Sequence, residues 1–178
     1  LAVEVLQKEE YGSAQQYFKY VYEHTHDKQQ DIKSNSYFYM GICAAQLYNE
    51  DAIFLLKDFI RHYPVHSYVP EAYYHLGKFY FYKRQYKKVL DSFSQIDERN
   101  VRPTEMAEYR FKLGYSYFAT GDSYEAKYHL NQARLEEGEY QLRAIYYLAH
   151  IAYEEQNYEP ALQDFLLLKD EPEYQNVV

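Results

Sequence analysis

Histidine is the residue type here best suited to bind a metal or move a proton near neutral pH, and the chain has seven. His24 and His26 are two residues apart, so on a helix they point to different faces. His62 and His66 are four apart, but Pro64 between them breaks the helical geometry of an i, i+4 zinc pair. Neither pair has an obvious carboxylate or third ligand. We therefore interpret these histidines as helix-end and linker residues, and predict neither a metal nor a cofactor.

The single cysteine, Cys43, is the first candidate nucleophile. A catalytic cysteine needs a base and a setting that stabilises the thiolate, and no adjacent residue supplies either. We interpret Cys43 as a small buried side chain. No G-x-S-x-G sequence, H-E-x-x-H helix or phosphate-binding glycine loop occurs. We therefore predict that the protein is not an enzyme. A pocket containing a base within hydrogen-bond reach of a nucleophile would restore the alternative that it is one.

Composition limits the partners. With 19 Lys and Arg against 27 Asp and Glu, the net charge is −8, which argues against nucleic acid as the main partner. Apolar residues make up 47% of the chain, too many for simple disorder, yet no apolar run approaches the length of a membrane span. A lone cysteine excludes an internal disulfide and fits a reducing or an oxidising compartment. The unusual feature is 25 tyrosines with no tryptophan.

A short sequence pattern, here called a phrase, recurs along the chain. Each copy ends with a large apolar residue followed directly by a small residue. The small residues lie 36, 37 and 35 residues apart, and they are Gly41, Gly77, Gly114 and Ala149. A second phrase follows each first one and contains a small residue of its own, namely Ala14, Ala52, Val89, Ala126 and Ala161. A large apolar residue comes four positions later, as Phe18, Leu56, Phe93, Leu130 and Phe165.

These spacings of three and four are helical, and the polar pieces between the phrases indicate turns. Each copy is therefore predicted to be a helix–turn–helix, and strand signals are absent. Glycine inside a helix costs about 0.5–1 kcal/mol relative to alanine. We infer that Gly41, Gly77 and Gly114 are present because two helix axes approach closely at these points.

The two phrases resemble the tetratricopeptide repeat family. Leu76-Gly77, Leu113-Gly114 and Leu148-Ala149 match the core of its first helix, and Ala126 with Leu130 and Ala161 with Phe165 match its second. Val89 and Arg110 depart from the family pattern, and the spacing exceeds the common one slightly. The resemblance implies an all-α, right-handed solenoid of antiparallel helix pairs, a fold that serves many different partners.

On this resemblance we expect a single array over 1–178, of about four and a half repeats and without an internal domain boundary. The repeats are placed at approximately 1–30 (partial), 31–66, 67–103, 104–138 and 139–173. We expect the chain to begin and end inside helices, and therefore expect a longer parent protein and weak self-association through uncapped ends.

The resemblance also implies a binding site, because first helices line the concave groove in this family. Its groove positions correspond to Phe38, Ile42, Tyr74, Lys78, Phe81, Phe111, Tyr115, Phe118, Arg143, Tyr146, His150 and Tyr153. Two interpretations of the rings stay open at this point. They are either core between neighbouring repeats or an exposed apolar groove for a peptide or protein segment.

The predicted function rests on this predicted groove. We predict a non-catalytic scaffold that binds a protein or peptide on its concave face, with a glycan-binding module that stacks sugars on tyrosines as the alternative. The segment Phe59–Pro64, followed by Tyr68–Tyr73, also resembles the repeats of bacterial envelope proteins. That likeness implies a periplasmic or outer-membrane location in a bacterium, while the cytoplasm stays open.

Overall fold

The computed structural model describes residues 4, 6, 8–26 and 28–174. In these residues the regular structure is entirely helical, which confirms the all-α prediction. The helices are α1 (Tyr11–His24), α2 (Gln30–Gln46), α3 (Asp51–His62), α4 (Val69–Tyr82), α5 (Tyr86–Phe93), α6 (Met106–Thr120), α7 (Ser123–Ala133), α8 (Glu139–Glu154) and α9 (Tyr158–Leu168). Two single turns of 3₁₀-helix, Glu98–Asn100 and Pro103–Glu105, precede α6. No described helix is both long and apolar enough to span a bilayer.

The contacts between residues separate into two compact units. Unit 1 holds the described residues up to Gln85 together with Asp91–Asn100, and unit 2 holds Tyr86–Leu90 with the described residues from Val101 onward. In unit 1, α2 packs against α1, α3 and α4. In unit 2, α8 packs against α6, α7 and α9, and α6 also packs on α7. The single uninterrupted array over 1–178 stays a prediction.

Small residues mark the closest approach of the paired helices, as the sequence predicts. A Cβ added at Gly41 would lie 2.8 Å from Leu56 Cδ2, and one at Gly114 would lie 2.8 Å from Leu130 Cγ. At Gly77 the added atom would lie 2.9 Å from Phe93 Cζ and closer still to two other ring atoms. In these three copies the large residue of the second phrase, Leu56, Phe93 or Leu130, therefore fills the space that the missing side chain leaves.

The turns inside the helix pairs share one backbone conformation. A residue with positive φ follows the first helix at Tyr48 (55°), Arg84 (55°), Gly121 (90°) and Gln156 (64°). The next N–H then bonds the carbonyl five residues back, as from Asn49 to Ala44 and from Asp122 to Tyr117, both at 2.9 Å. This arrangement satisfies carbonyls at the helix end. Only Gly121 adopts it without the steric penalty of a side chain.

Gly77 provides the sharpest test of the close approach. Gly77→Leu should lower the free energy of unfolding by about 1–3 kcal/mol or more, because the new side chain collides with the Phe93 ring. Urea unfolding followed by circular dichroism measures the change. Gly12→Ala is the control: nothing lies within 4 Å of a Cβ at Gly12 in α1, so this variant should be neutral or slightly more stable. An unchanged urea midpoint for Gly77→Leu would contradict the close approach.

Candidate binding face

Several residues predicted to line the groove are instead part of the core. Phe38, Ile42, Tyr74 and Phe111 are buried, with exposed fractions of 0%, 7%, 3% and 3%. The expectation that their side chains reach a partner is wrong for these four. The physical reason is the direction of a helical side chain, which covers the turn N-terminal to its own Cα and here lies beside the small-residue contact.

The neighbours of the buried rings show what they do. Phe38 stacks on Tyr68 with ring centroids 4.6 Å apart, and Tyr74 stacks on Phe93 at 6.0 Å. Phe111 lies 5.4 Å from the Tyr140 ring. Of the two interpretations left open by the sequence, core packing therefore holds for these positions.

The remaining predicted residues do reach solvent. Lys78, Phe81, Tyr115, Phe118, Tyr146 and His150 are partly buried, and Arg143 and Tyr153 are exposed. Lys78 lies over the ring of Tyr74 at 5.2 Å, so the buried ring supports a charged residue above it. That these residues bind a partner stays a prediction.

In unit 2 the partly buried residues form one surface on the first helices, which we term the α6–α8 face. It consists of Lys112, Tyr115, Phe118, Tyr140 and Tyr147. Tyr147 is its centre: its ring lies edge-on to Tyr115 at 4.7 Å and 5.4 Å from Phe118. Such aromatic pairs prefer edge or tilted geometry, and each adds about 0.5–1.5 kcal/mol beyond its buried area.

Charged groups border the rings on this face. Lys112 pairs with Glu108 at 3.2 Å, one helical turn away, and both side chains are mostly buried. The Lys112 ammonium also lies 5.8 Å from the centre of the Tyr140 ring, and the Arg143 guanidinium lies 5.9 Å from it. Tyr140 therefore lies between two cations, and the α6–α8 face combines apolar area with anchored positive charge.

The hydroxyl groups of Tyr140 and Tyr147 stay protonated. Burial, then the negative charges of Glu108 and Glu139, raises the pKa of Tyr140 well above its ordinary value. Burial, then the neighbouring Tyr115, raises the pKa of Tyr147 likewise. A neutral tyrosine both donates and accepts a hydrogen bond, so these rings keep a polar group that a peptide backbone can use.

Sequence reasoning missed three members of the face: Lys112, Tyr140 and Tyr147. It considered the positions three before, one after and four after the small residue, whereas Lys112 and Tyr147 stand two before it. The sequence did contain a signal for this position, because the residue two before the small one is large or charged in all four copies: Tyr39, His75, Lys112 and Tyr147. Tyr140 lies outside the recurring phrase and had no such signal.

One nucleophile and base do lie within hydrogen-bond reach in unit 1: Ser34 Oγ is 3.2 Å from His66 Nε2. His66 Nδ1 accepts the Tyr68 backbone N–H at 3.2 Å, so a neutral ring carries its proton on Nε2. The Ser34 hydroxyl donates to the carbonyl of Asp31 at 3.2 Å. The imidazole therefore donates to the serine, whereas a general base must accept its proton. This pair links α2 to the segment before α4.

Cys43 is fully buried, and burial raises the pKa of its thiol to about 11, so the thiol stays protonated and unreactive at neutral pH. Among the described residues, no three His, Cys, Asp or Glu side chains cluster as metal ligands would.

Comparison with known proteins agrees with the repeat. Residues 108–136 match the tetratricopeptide repeat family. MamA from Desulfovibrio magneticus RS-1 superposes with a TM-score of 0.68 at 19% identity, over 98% of this chain and 92% of that one. A second crystal structure of MamA gives 0.69 at 19% identity, over 98% and 97%. A putative kinesin light chain of Podospora anserina with TPR-like repeats gives 0.64 at 16% identity, over 95% and 90%. No curated protein matches the sequence.

The chain thus has the fold of a tetratricopeptide repeat solenoid, and residues 108–136 match a tetratricopeptide repeat, as the resemblance implied. These folds provide interaction scaffolds for proteins. The more specific likeness to bacterial envelope proteins stays a prediction, as does the compartment.

The raised pKa values of Tyr140 and Tyr147 predict that the folded protein becomes less stable at alkaline pH. Tyr140 and Tyr147 bind their protons more tightly when folded than in the unfolded chain, where the pKa is near 10.0. Their stabilising contribution is complete below that pH and is lost as pH rises above it. Urea unfolding between about pH 8 and pH 11 should show this fall, and Tyr147→Phe should reduce it. Tyr124→Phe, at an exposed ring, is the control. An identical fall in both variants would contradict the assignment.

The Ser34–His66 link predicts a structural rather than a chemical phenotype. Ser34→Ala removes the acceptor of the Nε2 proton and should cost about 1 kcal/mol of stability. Ser94→Ala should cost less, because Ser94 makes the same bond to the carbonyl three residues back but is exposed. A fluorophosphonate probe should leave the native protein unlabelled. Labelling at Ser34 would show an activated serine.

Proposed function

We propose that the protein is an interaction scaffold that binds a segment of a partner protein on the α6–α8 face. The observation that carries the proposal is the combination of partly buried rings and anchored cations on that one surface. Tyrosine offers large contact area at low entropy cost together with a hydroxyl. A peptide segment uses both, because it presents apolar side chains and backbone polar groups.

The charges favour a partner segment that carries carboxylates. Lys112 and Arg143 already pair with Glu108 and Glu139 respectively, the latter at 2.6 Å. A carboxylate of the partner can join the Arg143–Glu139 pair, where both side chains are largely exposed and no buried charge is left alone. Charge pairs at the edge of the face would set register and rate of association more than affinity.

Peptide is favoured over glycan by the packing of the rings. Tyr115 and Tyr147 meet edge to face, with planes 76° apart. Sugar stacking needs a flat ring face open to solvent, and here much of that area is taken up by neighbouring rings. Binding to a bacterial envelope assembly remains the most specific form of the proposal and rests on the sequence resemblance.

Selection from a random peptide display library on the full chain tests this function. Selected peptides should carry aromatic or aliphatic anchors with acidic residues. Their affinity should fall about fivefold or more for Tyr115→Ala, which corresponds to about 1 kcal/mol. Tyr124→Ala, an exposed ring on α7, is the matched control and should leave binding unchanged. Urea unfolding of both variants separates lost binding from lost stability. Peptides indifferent to Tyr115→Ala, or an empty selection, would overturn the proposal.

A further inference from the structure

A groove lies in unit 1 between α1 and α3, the second helices of two neighbouring pairs. Its volume is about 490 Å³, within the range of pockets that hold small ligands. We term it the α1–α3 groove. It is lined by Gln15, Gln16 and Lys19 of α1, Met40 of α2, and Asp51, Phe54 and Leu55 of α3.

The Phe54 ring is exposed although its helix has neighbours on both sides. Both pairs that form the groove are present, and α3 also packs on α4 of the next pair. Phe54 is nevertheless 65% exposed. The position two after the small residue is exposed in every copy, where it holds Gln16, Phe54, Asp91, Tyr128 and Gln163. Repeat stacking therefore leaves this position open, and an apolar phenylalanine there is not explained by the fold.

The corresponding groove in unit 2 is bridged by ion pairs. Arg134 of α7 pairs with Asp164 of α9 at 2.9 Å, and Lys127 of α7 pairs with Glu155 after α8 at 2.6 Å. The equivalent residues in unit 1 are Tyr22 with Leu55, and Gln15 with Leu47. Neither of these combinations joins a cation to a carboxylate. The space between the second helices of unit 1 is therefore not closed by the bridges that unit 2 has.

The lining combines apolar area with amide groups. Met40 is buried, Leu55 is partly buried, and the Phe54 ring adds an exposed apolar wall. On the opposite wall, Gln15 and Gln16 each carry a side-chain amide that donates and accepts hydrogen bonds, as a peptide backbone does. An extended peptide segment suits this lining, because it presents apolar side chains and backbone polar groups together.

The two charged residues of the lining have opposite signs and lie on opposite walls. Asp51 stands one before the small residue of α3, whereas Lys19 stands five after the small residue of α1. Their levels along the two helices therefore differ by more than one turn. Both are exposed, and Lys19 has a weak internal partner in Glu23 at 4.0 Å. Such a pair of charges selects and orients a segment that carries the complementary charges.

We propose that the α1–α3 groove binds an extended segment of a partner protein in which one apolar anchor is flanked by a basic and an acidic residue. The anchor contacts Phe54, Met40 and Leu55. The basic residue lies near Asp51, and the acidic residue lies near Lys19. The groove belongs to unit 1 and the α6–α8 face to unit 2, so this proposal does not depend on the function proposed above.

The experiment uses the full chain and its two methionines as reporters. Met40 lines the groove, and Met106 begins α6 in unit 2. With isotope in the methionine methyl groups, the Met40 NMR signal should shift saturably on addition of a capped Lys-Thr-Leu-Thr-Glu peptide or its reverse sequence, and the Met106 signal should not. In these peptides the three outward side chains share one face of the extended chain. Peptides with two lysines or two glutamates should bind at least about threefold more weakly than the better mixed one.

Two variants test the ring and the charge. Phe54→Gln copies Gln163 of α9 at an exposed position, so folding should be preserved, and it should weaken the mixed peptide at least about fivefold. Tyr128→Gln, at the equivalent exposed ring of α7, is the matched control and should have no effect. Lys19→Glu should make the two-lysine peptide the tightest binder.

The comparison of peptides on the unaltered chain stands by itself if a variant proves unstable. An unshifted Met40 signal, equal binding of mixed and single-sign peptides, or equal binding to Phe54→Gln would overturn the proposal. So would a self-association that sedimentation detects and Phe54→Gln abolishes, because the occupant would then be a second copy of this chain.

Discussion

The close approach of the two helices in each pair is the interaction on which the other features depend. Where Gly77 faces Phe93 and Gly114 faces Leu130, the absent side chain lets a large one enter the space between the axes. Interiors are packed about as densely as organic crystals, so this contact admits few substitutions. The contact recurs at Gly41, Gly77 and Gly114. In each of these pairs it sets how the two helices are rotated about their own axes.

That contact does not by itself decide which rings are core and which reach solvent. Phe111, three before Gly114, is buried, whereas Tyr115, four residues further along the same face, and Tyr147, two before Ala149, are partly exposed. Core rings such as Phe111 then support the partly buried ones by direct contact. The α6–α8 face is therefore held in place by the same packing that stabilises the fold, so its side chains would lose little further freedom if a partner bound there.

The connections follow from the same constraint. Each turn must reverse the chain within a few residues so that the second helix meets the small residue of the first. The backbone does so with one left-handed residue and one hydrogen bond five residues back, even where that residue is Arg84 or Gln156 rather than glycine. Ion pairs such as Arg134 with Asp164 then join neighbouring second helices. Packing of the pair outweighs the local preference of the turn residue.

The sequence by itself determined the helical pairs, their turns and the close contact, because these depend on spacing and on residue size. The buried position of Cys43 was likewise predicted from the sequence. The sequence could not separate buried from partly exposed rings, because Phe111 and Tyr115 are four residues apart on one helix and differ only in their tertiary neighbours. It also gave no signal for the Ser34–His66 bond, which joins residues 32 apart. Only the tertiary structure decided these points, since exposure and hydrogen-bond direction depend on neighbours distant in the chain.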